Sequence, residues 1–547
     1  MSTSNRCANL LLKGWAYKDY HYFFNHLKSA KDIQLEILKD NLQRNREKEF
    51  GRKHQFSKIK NIIDYHRNVP IRKYEDFIDY IEKIKLGESG ILTRDDVLLF
   101  EPTGGSTGGS KLIPYTAHLK SEFRKSINVW LFDIFHHYPA LLSGSSYWSI
   151  SPHTHKPQKT PGGISIGFES DAAYLGIFGK VISRLFPVPE AVKKVKNIEN
   201  FRQISSVFLL ASSDLSLISV WNPTFLLLVL NYITDNTEVL LKSIFDGKIY
   251  SQYPEDISFL NSYLKKLPSR AKELEGCFNL PENEIFQNIW PQLKLISCWK
   301  EGTASQFINK LEYFFPNVFI QGKGLLATEA FITLPLFEAN GCLPAYTSHF
   351  LEFRSSADGS VYLLDELETG ESYSVIVTTG GGLYRYDLGD IVRITGKYCG
   401  LPILKFDGRL QTCDLVGEKL QENFVQNVLI KALFELQLNA QFVFLAPVVR
   451  ENEQFYGLFI ELLDNKNRKK ISVLKDNIEN RLNLNFHYKY ARDLNQLGPV
   501  RVFLISGDAI RYYEKRCTDE GQKSGDIKPV YLDTRTAWES FFPGEFI

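Results

Sequence analysis

The sequence has few cysteines, no long apolar run and no recognisable targeting segment. Its seven cysteines are widely scattered and form no Cys-x-x-Cys pair, which argues against both a disulfide framework and a zinc site. A reducing compartment suits such a set best. The most apolar run, residues 225–230, is far shorter than the roughly 20 residues of a membrane-spanning helix, and no apolar signal core follows the N-terminus. These absences predict a cytoplasmic protein without a membrane span.

A strong charge of one sign is also lacking, since 65 basic residues oppose 63 acidic ones and leave a net charge of only +2. No global field therefore attracts nucleic acid or an anionic membrane, and we expect neither as a partner. The chain has 547 residues, 44% of them hydrophobic and 23% charged. This length allows two or more domains, and the composition is that of a soluble globular protein. The sequence contains no internal repeat and no low-complexity tract.

A glycine-rich stretch at residues 101–116, EPTGGSTGGSKLIPYT, is the most informative segment of the chain. Positions 103–109 hold four glycines and three hydroxyl-bearing residues, and Lys111 follows them. Glycines let a backbone approach an anion closely, and successive peptide N–H groups form an anion-binding concavity. The stretch therefore predicts a loop that binds a phosphate chain. The alternative is a flexible surface turn.

The loop is not a Walker A motif, although the two share part of their spacing. Gly104 and Gly109 are correctly spaced, but Ser110 follows them, Lys111 comes one place late, and Leu112 replaces the magnesium-binding hydroxyl. The pattern that remains, a Thr/Ser-Gly-rich loop with a lysine, is typical of enzymes that convert a carboxylic acid and ATP into an acyl-adenylate.

The hydrophobic pattern predicts an α/β protein with a large N-terminal domain and a smaller C-terminal one. Residues 15–90 are predicted to be helical and to lead into the glycine-rich loop. Unbroken apolar runs beyond residue 145 predict strands buried on both faces, separated by helices at 224–233 and 303–314. The predicted strands are residues 146–150, 207–211, 294–298, 318–321, 375–379 and 391–395.

After residue 409 the pattern changes to helix-strand-strand-helix-strand, which predicts a small α+β domain. We therefore predict an N-terminal domain at 1–408, a hinge at 409–419, and a mobile C-terminal domain at 420–547. The hinge segment is charged and contains glycine, so it can absorb the backbone change of a domain rotation. A plain linker is the alternative.

Two motifs downstream of the loop carry candidate ligand-binding residues. Thr328 and Glu329 follow a predicted strand, where Glu329 can bind magnesium and Thr328 can donate to a phosphate; a helix N-cap is the alternative. Asp390 precedes another predicted strand, where its carboxylate can accept both ribose hydroxyls. A turn aspartate is equally common.

Three basic residues lie at or beyond the predicted hinge. Arg409 and Lys419 bound the hinge, and Arg409 is placed to meet ribose or phosphate. Lys528 lies in the late segment 521–529, and a lysine delivered by a mobile domain would neutralise charge developing on the α-phosphate. Position alone does not distinguish it from a solvated lysine.

A histidine pair, His153 and His155, has residue types that bind metals but no third ligand nearby. The stretch 148–174 that contains the pair, with its prolines and glycines, is predicted to line the acyl pocket instead.

The order of these parts resembles that of the acyl-adenylate-forming superfamily, which includes acyl-CoA synthetases and nonribosomal peptide adenylation domains. Within it the chain looks like the auxin-responsive promoter family of acyl-acid amido synthetases, and specifically its bacterial branch. The resemblance spans nearly the whole chain. Its further motifs lie at residues 69–76, 81–93, 218–226, 414–420 and 525–529.

The resemblance implies ATP and Mg²⁺ as cofactors and assigns roles to the candidate residues. Triphosphate binding falls to Thr103, Gly104, Ser106 and Thr107. Thr328 and Glu329 would bind phosphate and magnesium, and Asp390 would bind the ribose. Arg409 and Lys419 would lie at the domain joint. Lys528 and Glu329 would be the catalytic residues. One departure is that Gly324 and Leu325 replace the aromatic residue that stacks on adenine in many relatives, so an aliphatic surface would have to take its place.

The implied reaction is adenylation of a carboxylic acid followed by transfer of the acyl group to an amine, most simply an amino acid, with rotation of the C-terminal domain between the two steps. A thiol or hydroxyl acceptor is one alternative. A nucleotide-binding protein that has lost catalysis is another. We expect a monomer or a weak dimer.

Overall fold

The computed structural model describes residues 3–103, 111–148, 158–167, 185–251, 253–409, 412–416, 418, 420–450, 453–463, 468–522, 525 and 527–547. Over these residues it is a mixed α/β protein, as predicted. Within the same ranges, no helix combines the length and the apolarity that crossing a membrane requires.

The N-terminal segment is helical, which confirms the prediction for residues 15–90. A break at Val69 and Pro70 follows the fourth helix, because proline disfavours a helical residue before it. The helices of this segment are α1 Thr3–Asn25, α2 Ala30–Asn45, α3 Glu49–Lys53, α4 Ile62–Asn68 and α5 Ile78–Lys85.

The glycine-rich stretch lies in a small mixed sheet. Strand β1 (Val97–Pro102) pairs antiparallel with β2 (Leu112–Thr116), so the two strands flank the loop. The sheet is completed by two short strands, β4 (Gln158–Lys159) and β5 (Ser165–Ile166), and β5 is parallel to β1. Helix α6 (Ala117–His137) begins directly after β2, with the Thr116 hydroxyl as its N-cap acceptor.

A four-stranded parallel sheet, in the order β3-β6-β7-β8, lies at the centre of the large domain. Its strands are β3 Ser145–Trp148, β6 Leu215–Ser219, β7 Leu295–Cys298 and β8 Phe319–Gly322. The connecting helices are α7 Ile198–Ala211, α8 Pro223–Asp235, α9 Thr237–Asp246, α10 Pro268–Phe278, α11 Glu282–Ile289 and α12 Ile308–Phe314. Parallel strands need such crossovers, which cover both faces of the sheet.

The strand predicted at 207–211 is wrong, because these residues form the last turns of α7. Nearly every residue of that helix is buried, including Val207, Phe208 and Leu210. A helix that is covered on all sides has no polar stripe, so its apolar run looks like that of a buried strand. The true strand, β6, begins four residues later at Leu215.

A seven-stranded antiparallel sheet, in the order β12-β11-β13-β14-β15-β10-β9, packs beside the parallel one. It contains the strands predicted at 375–379 and 391–395. Its members are β9 Thr333–Leu336, β10 Gly341–Pro344, β11 Phe350–Ser355, β12 Val361–Tyr362, β13 Ser372–Thr378, β14 Tyr386–Tyr398 and β15 Leu401–Arg409.

The C-terminal part has the predicted helix-strand-strand-helix-strand order, with two further helices and a closing strand. A two-stranded ribbon, β16 (Thr412–Cys413) with β17 (Leu420–Gln421), precedes it. The remaining elements are α13 Glu422–Glu435, β18 Ala440–Arg450, β19 Glu453–Leu462, α14 Arg468–Leu482, α15 Phe486–Asp493, β20 Arg501–Ile505, α16 Ala509–Asp519 and β21 Gly544–Phe546.

The C-terminal part packs against the helices of the parallel sheet. Arg202 of α7 forms an ion pair with Glu514 of α16 at 2.6 Å, and both side chains are largely buried. The Asn222 side-chain amide donates to the carbonyl of Ile527. These contacts hold the segment after α16 close to the end of β6.

Asp133 of α6 is a buried carboxyl that should make the stability of the fold depend on pH. It is 0% exposed, and burial raises its pKa to about 6, although the Phe337 amide that donates to it and nearby His137 act in the opposite direction. Because the folded pKa lies above the unfolded one, the folded state binds more protons between about pH 4 and pH 6, and stability falls as pH rises through this window.

We therefore expect Asp133→Asn to raise the thermal midpoint at pH 7.5 by about 2–4 °C. The amide oxygen still accepts from Phe337 but carries no charge to desolvate. The midpoint gain should shrink at pH 4.5, where the wild-type carboxyl is mostly protonated. Thermal unfolding at both pH values measures this, and an equal gain at both would contradict the assignment.

Candidate active site

The candidate site lies at the carboxyl edge of the parallel sheet, where β3, β6, β7 and β8 all end. Open α/β sheets bind their ligands at this edge, because the connections there leave a crevice outside the strand ends. Trp148, Ser219, Cys298 and Gly322 are the last residues of the four strands. Thr328 and Glu329 lie in the segment that follows β8.

The base of the glycine-rich loop is fixed in the structure. The Thr103 amide donates to the Lys111 carbonyl at 2.8 Å, which closes the loop above the β1–β2 ladder. The Tyr74 hydroxyl accepts the Leu112 amide at 2.8 Å, and the Lys111 ammonium lies 5.5 Å from the Tyr74 ring centroid. Three predicted phosphate-binding residues lie outside the described part of the chain: Gly104, Ser106 and Thr107.

Thr328 and Glu329 lie in an extended turn after β8, not at the start of a helix. The alternative of a helix N-cap is therefore wrong. The Tyr115 hydroxyl, on β2, donates to the Thr328 carbonyl at 2.6 Å. This hydrogen bond joins the strand that leaves the glycine-rich loop to the Thr-Glu turn, so the structure brings these two predicted parts together.

Glu329 is only 9% exposed and faces Tyr386, whose hydroxyl lies 3.4 Å from its Oε1. Burial raises the pKa of Tyr386 far above its ordinary value, and Glu329 adds to this effect. The tyrosine therefore stays protonated and can donate to the carboxylate.

A buried pair that sequence reasoning missed, Glu122 and His349, lies next to the Thr-Glu turn and stabilises it. His349 Nδ1 lies 3.0 Å from Glu122 Oε2, and the Phe331 amide donates to His349 Nε2 at 3.1 Å. Because Nε2 accepts from this amide, Nδ1 is the ring nitrogen that can donate to Glu122. Glu122 also accepts the Gly380 amide at 2.9 Å. The pair thus ties α6, the residue directly before β11 and the turn after β13 to Phe331, two positions beyond Glu329.

Asp390 lies within β14 and is 1% exposed, so the alternative of a turn aspartate is wrong. In the β14–β15 ladder it is directly opposite Arg409. The predicted ribose-binding residue and the residue at the start of the predicted hinge are therefore cross-strand neighbours. Lys419, at the far end of the hinge, lies outside the described residues.

Lys528 is exposed, and its ammonium lies 3.7 Å from the ring centroid of Trp299, directly after β7. The preceding carbonyl, that of Ile527, accepts from Asn222, which starts the segment into α8. The segments that follow β6 and β7 thus hold Lys528 at the carboxyl edge of the sheet.

Gly324 and Leu325, which replace the adenine-stacking aromatic residue of many relatives, are both constrained by their neighbours in the structure. Gly324 has φ +68°, and a Cβ there would lie 2.5 Å from Thr333 Oγ1, so a larger residue is excluded. Leu325 is 8% exposed and packs in the core, with its amide bonded to the Thr333 hydroxyl at 2.7 Å. Little of its surface remains for a ligand, and how adenine packs stays a prediction.

A cavity of about 620 Å³ lies where β8, β10, β15 and α13 meet. Burial raises the pKa of Glu301 at its edge, although the Phe406 amide that donates to it acts in the opposite direction. Burial, with Glu301, also raises the pKa of Cys342 to about 12. This thiol is therefore protonated at neutral pH and is a poor nucleophile.

Within the described ranges, no group of three or more His, Cys, Asp or Glu side chains forms a metal cluster. His153 and His155 lie outside those ranges. A single buried carboxylate such as Glu329 suits Mg²⁺, which proteins commonly bind through one or two carboxylates together with substrate phosphates.

Comparisons with known proteins agree with this arrangement. Three family models match: the GH3 family N-terminal domain at residues 20–320, its central domain at 342–409, and its C-terminal domain at 423–534. The Arabidopsis thaliana protein indole-3-acetic acid-amido synthetase GH3.15 is 25% identical over 70% of this chain and 68% of its own.

Solved structures show the same fold. AtGH3.15 acyl acid amido synthetase in complex with 2,4-DB matches with a TM-score of 0.82 at 21% identity, over 93% of this chain and 92% of that one. A 2-hydroxyisobutyryl-CoA ligase bound to an acyl-AMP matches with a TM-score of 0.50 at 11% identity, over 94% and 90%.

The expected family is thereby confirmed, while the bacterial branch stays a prediction, since the GH3.15 relative is a plant protein. The N-terminal family model alone covers more than half of the chain, and the other two follow it in the same order as the structural parts. The chain belongs to the GH3 family.

Proposed function

We propose that the protein is an ATP-dependent ligase that adenylates a carboxylic acid and then transfers the acyl group to an amine, most simply an amino acid. The observation that carries this proposal is the hydrogen bond from Tyr115 to Thr328, which joins β2, the strand that leaves the glycine-rich loop, to the Thr-Glu turn. The names of the relatives, which are acid-amido synthetases, support the choice of acceptor.

ATP would lie across the carboxyl edge of the parallel sheet. Backbone amides and hydroxyls of the loop at 103–109 would hold the triphosphate, and Asp390 would accept the ribose hydroxyls. Arg409, opposite Asp390 in the ladder, and Lys419 would bound the moving joint. Glu329 would hold Mg²⁺, which when bound neutralises charge on the phosphate oxygens.

In the first half-reaction a carboxylate oxygen of the acid attacks the α-phosphorus, and pyrophosphate leaves. Lys528 would neutralise charge that develops on the α-phosphate as the carboxylate attacks. Holding both reactants at the sheet edge supplies much of the remaining rate gain, because the reacting atoms no longer have to meet by diffusion.

In the second half-reaction the amine attacks the acyl carbon, loses a proton, and releases AMP. Rotation of residues 420–547 about the hinge at 409–419 would separate the two steps. Asn423 and Asn427 of α13 line the cavity from the C-terminal side and Lys300 from the N-terminal side, so a rotation would change its shape.

A cytoplasmic location is part of this proposal. All seven cysteines are free thiols in the structure, four of them buried, which suits a reducing compartment. We also retain the expectation of a monomer or a weak dimer.

The proposal is tested by pyrophosphate release across aryl, indole and fatty acids, with hydroxylamine as a general acceptor. We expect release and hydroxamate formation with one class of acid. Silence across the whole panel, in a sample that still binds ATP, would contradict catalysis and favour a nucleotide-binding protein.

A further inference from the structure

Lys323 is held between two tryptophan rings at the carboxyl edge of the parallel sheet. Its ammonium lies 5.3 Å from the ring centroid of Trp221 and 5.6 Å from that of Trp130. It also donates to the Ser219 hydroxyl at 2.8 Å. Indole faces attract a cation, so these contacts orient the Lys323 side chain.

The lysine belongs to a wall of tryptophans that is built by the strand ends. The sequence has seven tryptophans, and four of them gather here: Trp130, Trp148, Trp221 and Trp299. The rings of Trp130 and Trp148 are 5.9 Å apart, and those of Trp221 and Trp299 are 5.7 Å apart. Three of the four are only partly buried, so indole surface remains available to a flat ligand.

Two ammonium groups flank this wall. Lys323 contacts Trp221, and Lys528 lies 3.7 Å from the ring centroid of Trp299. The two indoles that they touch are neighbours. A ligand lying along the Trp221–Trp299 pair would therefore meet a positive charge at each end, and Lys528 is the residue proposed to act on the α-phosphate while the carboxylate attacks it.

We propose that the acid substrate is a planar aromatic carboxylic acid that carries a second anionic group, and that Lys323 recognises this second group. The aromatic ring lies against the indole wall, the reacting carboxylate faces Lys528, and the second anion receives a charge-assisted hydrogen bond from the Lys323 ammonium. This inference rests on the proposed function, because it names the substrate class of the same site.

The test uses acids that share shape and differ in charge. Terephthalate and 4-nitrobenzoate have planar para substituents of similar size, but the para carboxylate of terephthalate is charged and the nitro group is neutral. Isophthalate and 3-nitrobenzoate provide the corresponding meta pair. Pyrophosphate release gives kcat/KM for each acid with the wild type, Lys323→Met and Lys323→Arg. Lys294→Met is the matched control, since Lys294 is exposed at the opposite end of the sheet, directly before β7.

We expect the wild type to prefer the dicarboxylate of at least one pair by about 10-fold or more. Lys323→Met should remove that preference by lowering kcat/KM for the dicarboxylate alone, Lys323→Arg should keep part of it, and Lys294→Met should leave it intact. The retained rate with the nitro acid shows that the Met variant is folded.

Two results would overturn the inference: no dicarboxylate preference in the wild type, or the same loss for both members of a pair in Lys323→Met. If the wild type releases pyrophosphate with neutral acids alone, the substrate class is wrong and the proposed function stands. If it releases none with any acid, the proposed function fails and this inference falls with it.

Discussion

Replacing Lys528 by alanine is expected to slow the adenylation half-reaction by about 10²-fold or more, because the variant no longer neutralises charge that develops at the α-phosphate. Lys528 is exposed, and its contact with Trp299 contributes only about 0.5–1 kcal/mol to stability. The fold should therefore survive the change. Single-turnover pyrophosphate release measures the loss, which should appear in kcat more than in KM.

The matched control for this change is Lys489→Ala. Lys489 is an exposed lysine of the same C-terminal part and pairs only at the surface, with Asp493 at 3.1 Å. Its removal should leave adenylation unchanged. An unaltered rate in Lys528→Ala would reject the role assigned to Lys528 and would favour a solvated surface lysine.

Replacing Glu329 by glutamine is expected to reduce adenylation by roughly 10²-fold and to raise the Mg²⁺ concentration needed for half-maximal rate. The amide keeps the shape of the side chain and can still accept from the Tyr386 hydroxyl, so the turn should hold. What is lost is the negative charge that suits Mg²⁺. Initial rates over a range of Mg²⁺ concentrations measure both effects.

Glu338→Gln removes an exposed carboxylate after β9 and is the control for the loss of charge. It should leave both the rate and the Mg²⁺ dependence unaltered. If Glu329→Gln lowers the rate without changing the Mg²⁺ dependence, the carboxylate stabilises the Thr-Glu turn and does not bind the metal.

Local sequence signals predicted three of the four strands that end at the site, β3, β7 and β8, because mostly apolar runs bounded by polar or glycine residues mark them, but they missed β6. The runs at 294–298 and 318–321 became β7 and β8. The same signal failed at 207–211, since a helix buried on every side also lacks a polar face. Periodicity distinguishes the two only where one face meets water.

The relations between distant residues could not be predicted from the sequence. Glu122 and His349 are 227 positions apart, and neither belongs to a recognisable motif, so their contact emerges only when the fold brings α6 next to the segment before β11. The pairing of Asp390 with Arg409 depends on the register of one β-ladder. A one-residue slip of that register would have placed a different residue opposite Asp390.

The gathering of tryptophans around Lys323 has the same origin. Each tryptophan is an ordinary apolar residue in its own segment, and the wall forms because the ends of three parallel strands meet at one edge, beside Trp130 of α6. Sequence motifs thus predicted the candidate residues of the reaction, whereas the surface proposed to face the substrate forms only when the sheet is assembled.

The most direct test of adenylation follows oxygen from the acid. When the acid is labelled with ¹⁸O in its carboxylate, attack on the α-phosphorus leaves one labelled oxygen bridging acyl carbon and phosphorus, and aminolysis then releases it on AMP. Mass spectrometry should find one ¹⁸O in AMP and none in pyrophosphate. Label in pyrophosphate or inorganic phosphate, or unlabelled AMP alongside the amide product, would contradict an acyl-adenylate intermediate.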